Sequence, residues 1–205
     1  MRTFIIGYGS LLNKTSLNRT LPNVDKIEPI YLSNYVRSWN AIESVKPTVS
    51  STFLGIEKSK NSKVSCIIFE VEEILLSILD KREFLYNREK VKVSDIEFNS
   101  NRFNIAIEDN IWIYVTKEPS VPSYEFPIIQ SYVDICISGA IEIEEAFNLE
   151  NFAVDFIKTT ELWSKSWVND RIFPRAPHIY QPDAYQIDIM LKENINDFFE
   201  TIIIE

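Results

Sequence analysis

Residues Thr3 to Asn13 read Thr-Phe-Ile-Ile-Gly-Tyr-Gly-Ser-Leu-Leu-Asn, and no other stretch constrains the fold as strongly. The β-branched and aromatic run Thr3–Ile6 predicts a short buried strand. Gly7 and Gly9 then end it. The chain has only four glycines, so two at one strand end mark a turn that needs unusual backbone dihedrals or a close backbone approach. Such a turn can aim successive backbone N–H groups at one point, which makes an anion or oxyanion site. An ordinary tight turn leaving the first strand is the competing reading, and this stretch alone leaves both open.

A second informative stretch lies near residue 80. The spacing of Val71, Ile74, Leu75, Ile78 and Leu79 predicts a helix over Val71–Leu85 with one apolar face. Four residues beyond Leu79 the same face carries Glu83, and three further on Tyr86. Partial burial and the helix C-terminal dipole would both raise the pKa of that carboxyl, which suits a proton shuttle. The structural alternative is a glutamate neutralised by Arg82 or Arg88, or one lying past the helix end.

Elsewhere the pattern predicts a short helix over Lys14–Thr20, extended pieces within Ile27–Ile42, and a polar loop from Glu43 to Ser51. Thr52–Ile56 and Val64–Phe69 read as two strands joined by a hairpin loop over Glu57–Lys63. Arg88–Val93 and Ile111–Val115 read as further strands, separated by a polar loop over Ser94–Asn110. Pro127–Phe147 is the longest predicted helix, with Pro127 in its first turn. A shorter helix is expected over Glu150–Leu162. Trp163, Trp167, Arg171 and Arg175 then fall in a proline-rich loop. They either line the cleft and hold a substrate carboxylate, or anchor the loop on the core. Tyr185–Leu191 is expected to be extended, before a last short helix. A length of 205 residues with no boundary signal argues for a single domain over 1–205.

Several function classes are disfavoured. The formal net charge is −9 and no basic patch emerges, which argues against nucleic acid as a partner. The apolar runs fall short of a membrane span, and no cleavable signal pattern is seen. Cys66 and Cys136 each sit in an apolar run, so buried free thiols and a cytoplasmic location are expected. His178 is the only histidine and sits in the proline-rich loop. With no Cys/His ligand spacing, zinc and a Ser-His-Asp triad are poorly supported, and no metal or cofactor is expected. A dinucleotide site is disfavoured too, because Leu12 stands where the third fingerprint glycine would be and no regular β-α alternation follows.

Taken together, Gly7-Tyr8-Gly9-Ser10-Leu11 and the stretch Asp80-Lys81-Arg82-Glu83-Phe84-Leu85-Tyr86-Asn87-Arg88 resemble the γ-glutamylcyclotransferase-like family. That family includes γ-glutamylamine cyclotransferases, ChaC-type glutathione-degrading enzymes and AIG2-like proteins. The resemblance covers the first ninety or so residues best, and the helical part from about 127 looks like an extension. It implies an α+β fold, with a small mixed β-barrel flanked by helices and a cavity at the barrel mouth. The implied reaction cyclises a γ-glutamyl group to 5-oxoproline and releases an amine or amino acid, without metal or organic cofactor. Glu83 would be the general acid and base, the Tyr8, Gly9, Ser10 and Leu11 loop would hold the substrate carboxylate or the oxyanion, and Tyr86 with the Tyr8 ring would shape the pocket. Where some relatives have asparagine after the serine this chain has Leu11, which leaves the subfamily and the leaving group open. A non-catalytic small-molecule or partner-binding module on the same fold is the alternative.

Overall fold

The computed structural model describes residues 1–22, 24, 26–43, 51–99, 102–174 and 183–204. Its strands are β1 (Thr3–Gly7), β2 (Ile27–Glu43), β3 (Ser51–Val71), β4 (Tyr86–Lys90), β5 (Ile96–Phe98), β6 (Asn110–Thr116), β7 (Ile128–Ile129), β8 (Thr160–Glu161), β9 (Trp167–Asn169) and β10 (Ile203–Ile204). The helices are α1 (Lys14–Thr20), α2 (Leu76–Arg82), α3 (Gln130–Phe147), α4 (Phe152–Lys158) and α5 (Ala184–Phe199). All ten strands belong to one mixed sheet, and β1 lies inside it, antiparallel to β3 and parallel to β6. A strand with neighbours on both edges and cover on both faces favours apolar residues, and every residue of β1 is buried, with Thr3 at its start the one polar member.

Alternation along β1 splits the core in two. Phe4 and Ile6 join Ile30, Ile56, Ile68 and Ile113 in a cluster that contains no helical residue. The sheet therefore curls around that cluster, which is the barrel-like half of the fold. Ile5 points the other way, into a larger cluster between the sheet and α1–α5. The architecture is α+β, a curled mixed sheet flanked by helices, as the resemblance implies. Among the described residues no helix is long and apolar enough to cross a membrane.

Several local expectations are corrected. Glu57–Lys63 does not reverse the chain. β3 runs unbroken from Ser51 to Val71 and pairs with β2 along its length, with a register shift between Ser33 and Tyr35. Leu32 faces Val64 before the shift and Val36 faces Glu57 after it, so the polar segment is a large bulge. The helix expected over Val71–Leu85 is shorter. Val71 closes β3, Glu73–Leu75 form a 3-10 turn, and α2 covers only Leu76–Arg82. Leu76 and Leu79 are its buried residues, whereas Ile74 and Ile78 are exposed, so the expected apolar face is out of phase. A short strand, β5, lies inside the expected loop over Ser94–Asn110 and pairs with β2. Pro127 precedes β7 and not the first helical turn, and its carbonyl accepts from the Thr52 N–H at 2.9 Å. Tyr185–Leu191 is helical, as part of α5, and not extended. Residues 44–50 of the polar loop, together with Arg175, Pro177, His178 and Pro182, lie outside the described residues.

Candidate active site

The turn after β1 is compact. Ser10–Leu12 form one 3-10 turn, closed by the Leu12 N–H on the Gly9 carbonyl at 2.9 Å. Asn13 then caps α1, its Oδ1 accepting from the Ser16 N–H at 2.9 Å. No glycine has a positive φ, and Gly9, at φ −135° and ψ −126°, would meet only ordinary contacts if it carried a Cβ. Close approach accounts for Gly7 and Gly139. A Cβ on Gly7 would come within 2.9 Å of Leu11 Cβ. On Gly139 of α3 it would lie 2.3 Å from the Asn13 nitrogen and 2.7 Å from the Leu12 carbonyl carbon. α3 thus lies directly on the backbone of the turn, in a contact that only glycine allows.

Glu83 caps the C-terminus of α2, with its N–H on the Leu79 carbonyl at 2.8 Å. The Tyr86 N–H closes on the Glu83 carbonyl at 2.9 Å, a tight turn that leads into β4. Glu83 and Tyr86 then line a small cavity of about 30 Å³ together with Tyr8, Gly9, Ser10 and Leu11. Ile6, Leu54, Tyr114 and Tyr132 complete its wall. Ser10, Glu83, Tyr86 and Tyr132 also border an outer chamber of about 210 Å³, whose other walls include Glu43, Phe53, Arg82 and Phe84. The inner space fits a compact polar group of roughly two waters' size, and the outer one has room for a larger substituent.

Electrostatics single out Glu83. Its side chain is 16% exposed, and burial raises its pKa above the ordinary range even though Arg82 acts to lower it. Arg82 Nε lies 3.3 Å from Glu83 Oε1, and Arg82 Nη2 donates to the Ser10 hydroxyl at 3.1 Å. One further Arg82 nitrogen, Nη1, is buried with no acceptor among the described residues. Burial also pushes the phenols of Tyr8, Tyr86 and Tyr132 well above their usual pKa, so they stay neutral. Tyr8 donates to the Tyr114 carbonyl at 2.6 Å and Tyr86 to the Leu54 carbonyl at 2.7 Å, which locks both rings. Behind them Tyr114 donates to Asp80 Oδ1 at 2.8 Å, and Arg88 pairs with Asp80 at 3.0 Å. Arg88 is therefore taken up by Asp80, and Arg82 is the cation beside Glu83. Among the described residues no group of three or more His, Cys, Asp or Glu side chains is placed to hold a metal ion.

The family model for Gamma-glutamyl cyclotransferase, AIG2-like, matches residues 5–131, well over half of the chain. The chain belongs to this family. No match was found among curated protein sequences. Among solved structures, one described as Gamma-glutamyl cyclotransferase superposes with a TM-score of 0.58 at 14% identity, covering 94% of this chain and 99% of that one. An uncharacterized human protein, loc79017 from Homo sapiens, gives a TM-score of 0.53 at 16% identity over 72% of this chain and 87% of its own. YkqA from Bacillus subtilis gives 0.50 at 14% identity over 72% of this chain and 53% of that chain. At such identities the likeness shows the fold.

Within this AIG2-like cyclotransferase fold, four wall residues were not expected from the sequence. Ile6, Leu54 and Tyr114 come from β1, β3 and β6. Tyr132 comes from the first turn of α3, beyond the last residue of the family match. Its place in the apolar stripe of Pro127–Phe147 signalled burial but not the cavity. Tyr132 packs edge-on against Phe53 at 4.8 Å and Trp39 at 6.0 Å. Trp39 contacts Trp163 at 5.2 Å, and Trp163 stacks on Trp167 at 5.1 Å. The two late tryptophans therefore anchor their segment on the core and do not line the cavity. Arg171 is likewise engaged, donating to both oxygens of Asp134 at 2.7 and 2.8 Å and pairing with Asp188 at 2.8 Å. It has a structural partner set, not a place in the cleft.

Proposed function

We propose that this chain cyclises the γ-glutamyl group of a small substrate to 5-oxoproline, releasing an amine or amino acid, with Glu83 as general base and then general acid. One observation carries the reading. A single, largely buried carboxyl with a raised pKa lines the same small cavity as the Tyr8–Leu11 turn. In the substrate the α-nitrogen is tethered to its own γ-carbonyl, so attack is intramolecular and proximity supplies much of the acceleration. Glu83 takes a proton from the α-ammonium, and the freed amine attacks the γ-carbonyl. The new C–N bond forms as the carbonyl pair moves onto oxygen, and backbone N–H groups of the turn stabilise that oxyanion. When the tetrahedral carbon collapses, the bond to the leaving nitrogen breaks, Glu83 returns its proton to that nitrogen, and the second proton of the attacking nitrogen passes to the released amine, which departs as an ammonium. A raised pKa suits a group that must both accept and return a proton near neutrality. The four neutral tyrosines give the cavity fixed dipoles and no competing charge. We place the protein in the cytoplasm and treat residues 1–205 as one domain, with the helical part from about 127 as its extension.

One observation favours the rival reading, a binding module without turnover. Arg82 Nε sits 3.3 Å from Glu83 and can hold the carboxylate as a permanent ion pair. Steady-state kinetics on γ-glutamyl amines, γ-glutamyl amino acids and glutathione, following 5-oxoproline release, separate the two. Glu83→Gln keeps size and hydrogen bonding but cannot accept a proton. A loss of about 10²- to 10⁴-fold is expected, in kcat more than in KM. Near-wild-type kcat in Glu83→Gln would end the mechanism, and an inactive wild type across the panel would favour the binding module.

A further inference from the structure

Arg37 of β2 is a full positive charge with no surface exposure. Among the described residues no carboxylate lies within ion-pair distance of it. Its donors go to neutral groups instead. Nε reaches the Thr160 hydroxyl at 2.8 Å, Nη2 the Phe156 carbonyl at 2.8 Å and the Thr159 hydroxyl at 3.1 Å. Nη1 is shared between the Ser65 carbonyl at 2.8 Å and the Tyr8 carbonyl at 3.3 Å. The guanidinium also lies 3.7 Å from the centroid of the Phe156 ring. Burying a cation without a counter-ion is costly and is tolerated only where the hydrogen bonds are well made. The last turn of α4 suits a cation, because helix carbonyls converge there. Burial lowers the pKa of Arg37 to about 10, which still leaves it protonated at neutral pH.

The bond to Tyr8 gives this arrangement its consequence. A trans peptide is planar, and its C=O and N–H point in opposite directions. A Tyr8 carbonyl held towards Arg37 therefore turns the Gly9 N–H to the other side of the same peptide, and Gly9 lines the cavity that Arg37 does not reach. We propose that Arg37 is a positioning residue for the site: it fixes the Tyr8–Gly9 peptide so that the Gly9 N–H faces a bound anion, and its unneutralised charge lies behind that peptide. This rests on the reading of the cavity given under Proposed function. It also assigns a role to α4, its C-cap Thr159 and β8: Phe156, Thr159 and Thr160 lie outside the family match and grip the far side of the guanidinium.

The test is a titration of ¹⁵N-labelled protein with 5-oxoproline, read at the Gly9 amide, alongside steady-state kinetics on the γ-glutamyl panel. With only four glycines in the chain, that amide is readily assigned. In wild type the Gly9 resonance and the slowly exchanging Arg37 Nε–H should shift together along one binding curve. Arg37→Lys keeps the charge but loses the fork that joins Tyr8, Ser65 and Phe156. It should need about 10-fold more 5-oxoproline and lose about 10- to 100-fold in kcat, with a smaller change in KM. Ile187→Ala, a buried truncation in α5 outside both chambers, serves as the stability control. It should bind 5-oxoproline as wild type does and keep its kcat at temperatures where it is folded. If Arg37→Lys matches that control, or if the wild-type Gly9 and Arg37 resonances stay still, the assignment is overturned. The wild-type reading decides the matter even if Arg37→Lys does not fold. An Arg37-dependent Gly9 shift in a protein that turns over no substrate would keep the positioning role and remove the proposed reaction. Turnover without the shift would do the reverse.

Discussion

Replacing Gly139 with alanine tests whether the turn after β1 is held in place by α3. Two effects oppose each other. Alanine is favoured over glycine inside a helix by about 1 kcal/mol, and Gly139 lies within α3. Against that, the added Cβ would sit 2.3 Å from the Asn13 nitrogen and 2.7 Å from the Leu12 carbonyl carbon. Both are backbone atoms, so no side-chain rotation can relieve the contact. Restoring ordinary contact requires the helix and the turn to separate by about 1 Å. Overpacking of this kind costs about 1–3 kcal/mol, and a clash with backbone belongs at the upper end. The clash therefore outweighs the helical gain, and a net loss of about 2 kcal/mol is expected. For a chain of this size that lowers Tm by about 4–8 °C. Activity should suffer more than stability suggests. Tyr132 rides on α3 and Ser10 on the turn, and both border the cavity. A 1 Å misplacement of such groups can cost about 10²-fold in rate. Thermal unfolding by circular dichroism and 5-oxoproline release at a temperature well below both midpoints give the two readings. A variant with unchanged or higher Tm and unchanged kcat would show that helix and turn move freely apart, and the rigid-contact reasoning would fail.

Two other expectations concern buried charge. Burial raises the Glu83 pKa, so the folded state binds that proton more tightly than the unfolded chain. Its contribution to stability is complete below the unfolded value of about 4.3 and is lost as pH rises through the folded one. Glu83→Gln should therefore gain Tm relative to wild type as pH increases from 4 to 7, and a gap that shrinks over that range would mean Arg82 dominates. The acid limb of kcat/KM should likewise lie above the ordinary glutamate range, because the base must be ionised in free enzyme. In the helical part, Arg171→Met leaves the fully buried Asp134 without its cation. A loss of about 3–5 kcal/mol in urea unfolding is expected, and a loss under about 1 kcal/mol would mean that Gln130, which donates to Asp134 at 2.8 Å, suffices.

The features legible in the sequence are those written in short range. A β-branched run followed by Gly7 and Gly9 specified β1 and a turn, because strand propensity and the punctuating glycines act over a few residues. The step from Leu79 to Glu83 to Tyr86 marked a carboxylate for the inside although the assumed helix was too long, since the turn after α2 still carries both residues to the cavity. Long-range structure was less readable. Tyr185, Ile187, Ile189 and Leu191 alternate as a strand would, yet α5 buries only Ile187 and Leu191, four residues apart. The polar bulge in β3 has the composition of a hairpin loop, and only the partner strand β2, running alongside without a break, decides between them.

The chemistry divides the same way. Sequence alone determined which residue types were available: one turn rich in backbone donors, the Arg82–Glu83 pair, no zinc-ligand spacing. Tertiary structure alone decided what surrounds them. Tyr114 and Tyr132 enter the cavity wall from β6 and α3, and the buried Arg37 reaches the turn while gripping α4 and β8. No local pattern encodes those meetings. Which of many buried aromatic residues faces a cavity, and which carbonyl receives a buried guanidinium, follows from how sheet and helices pack.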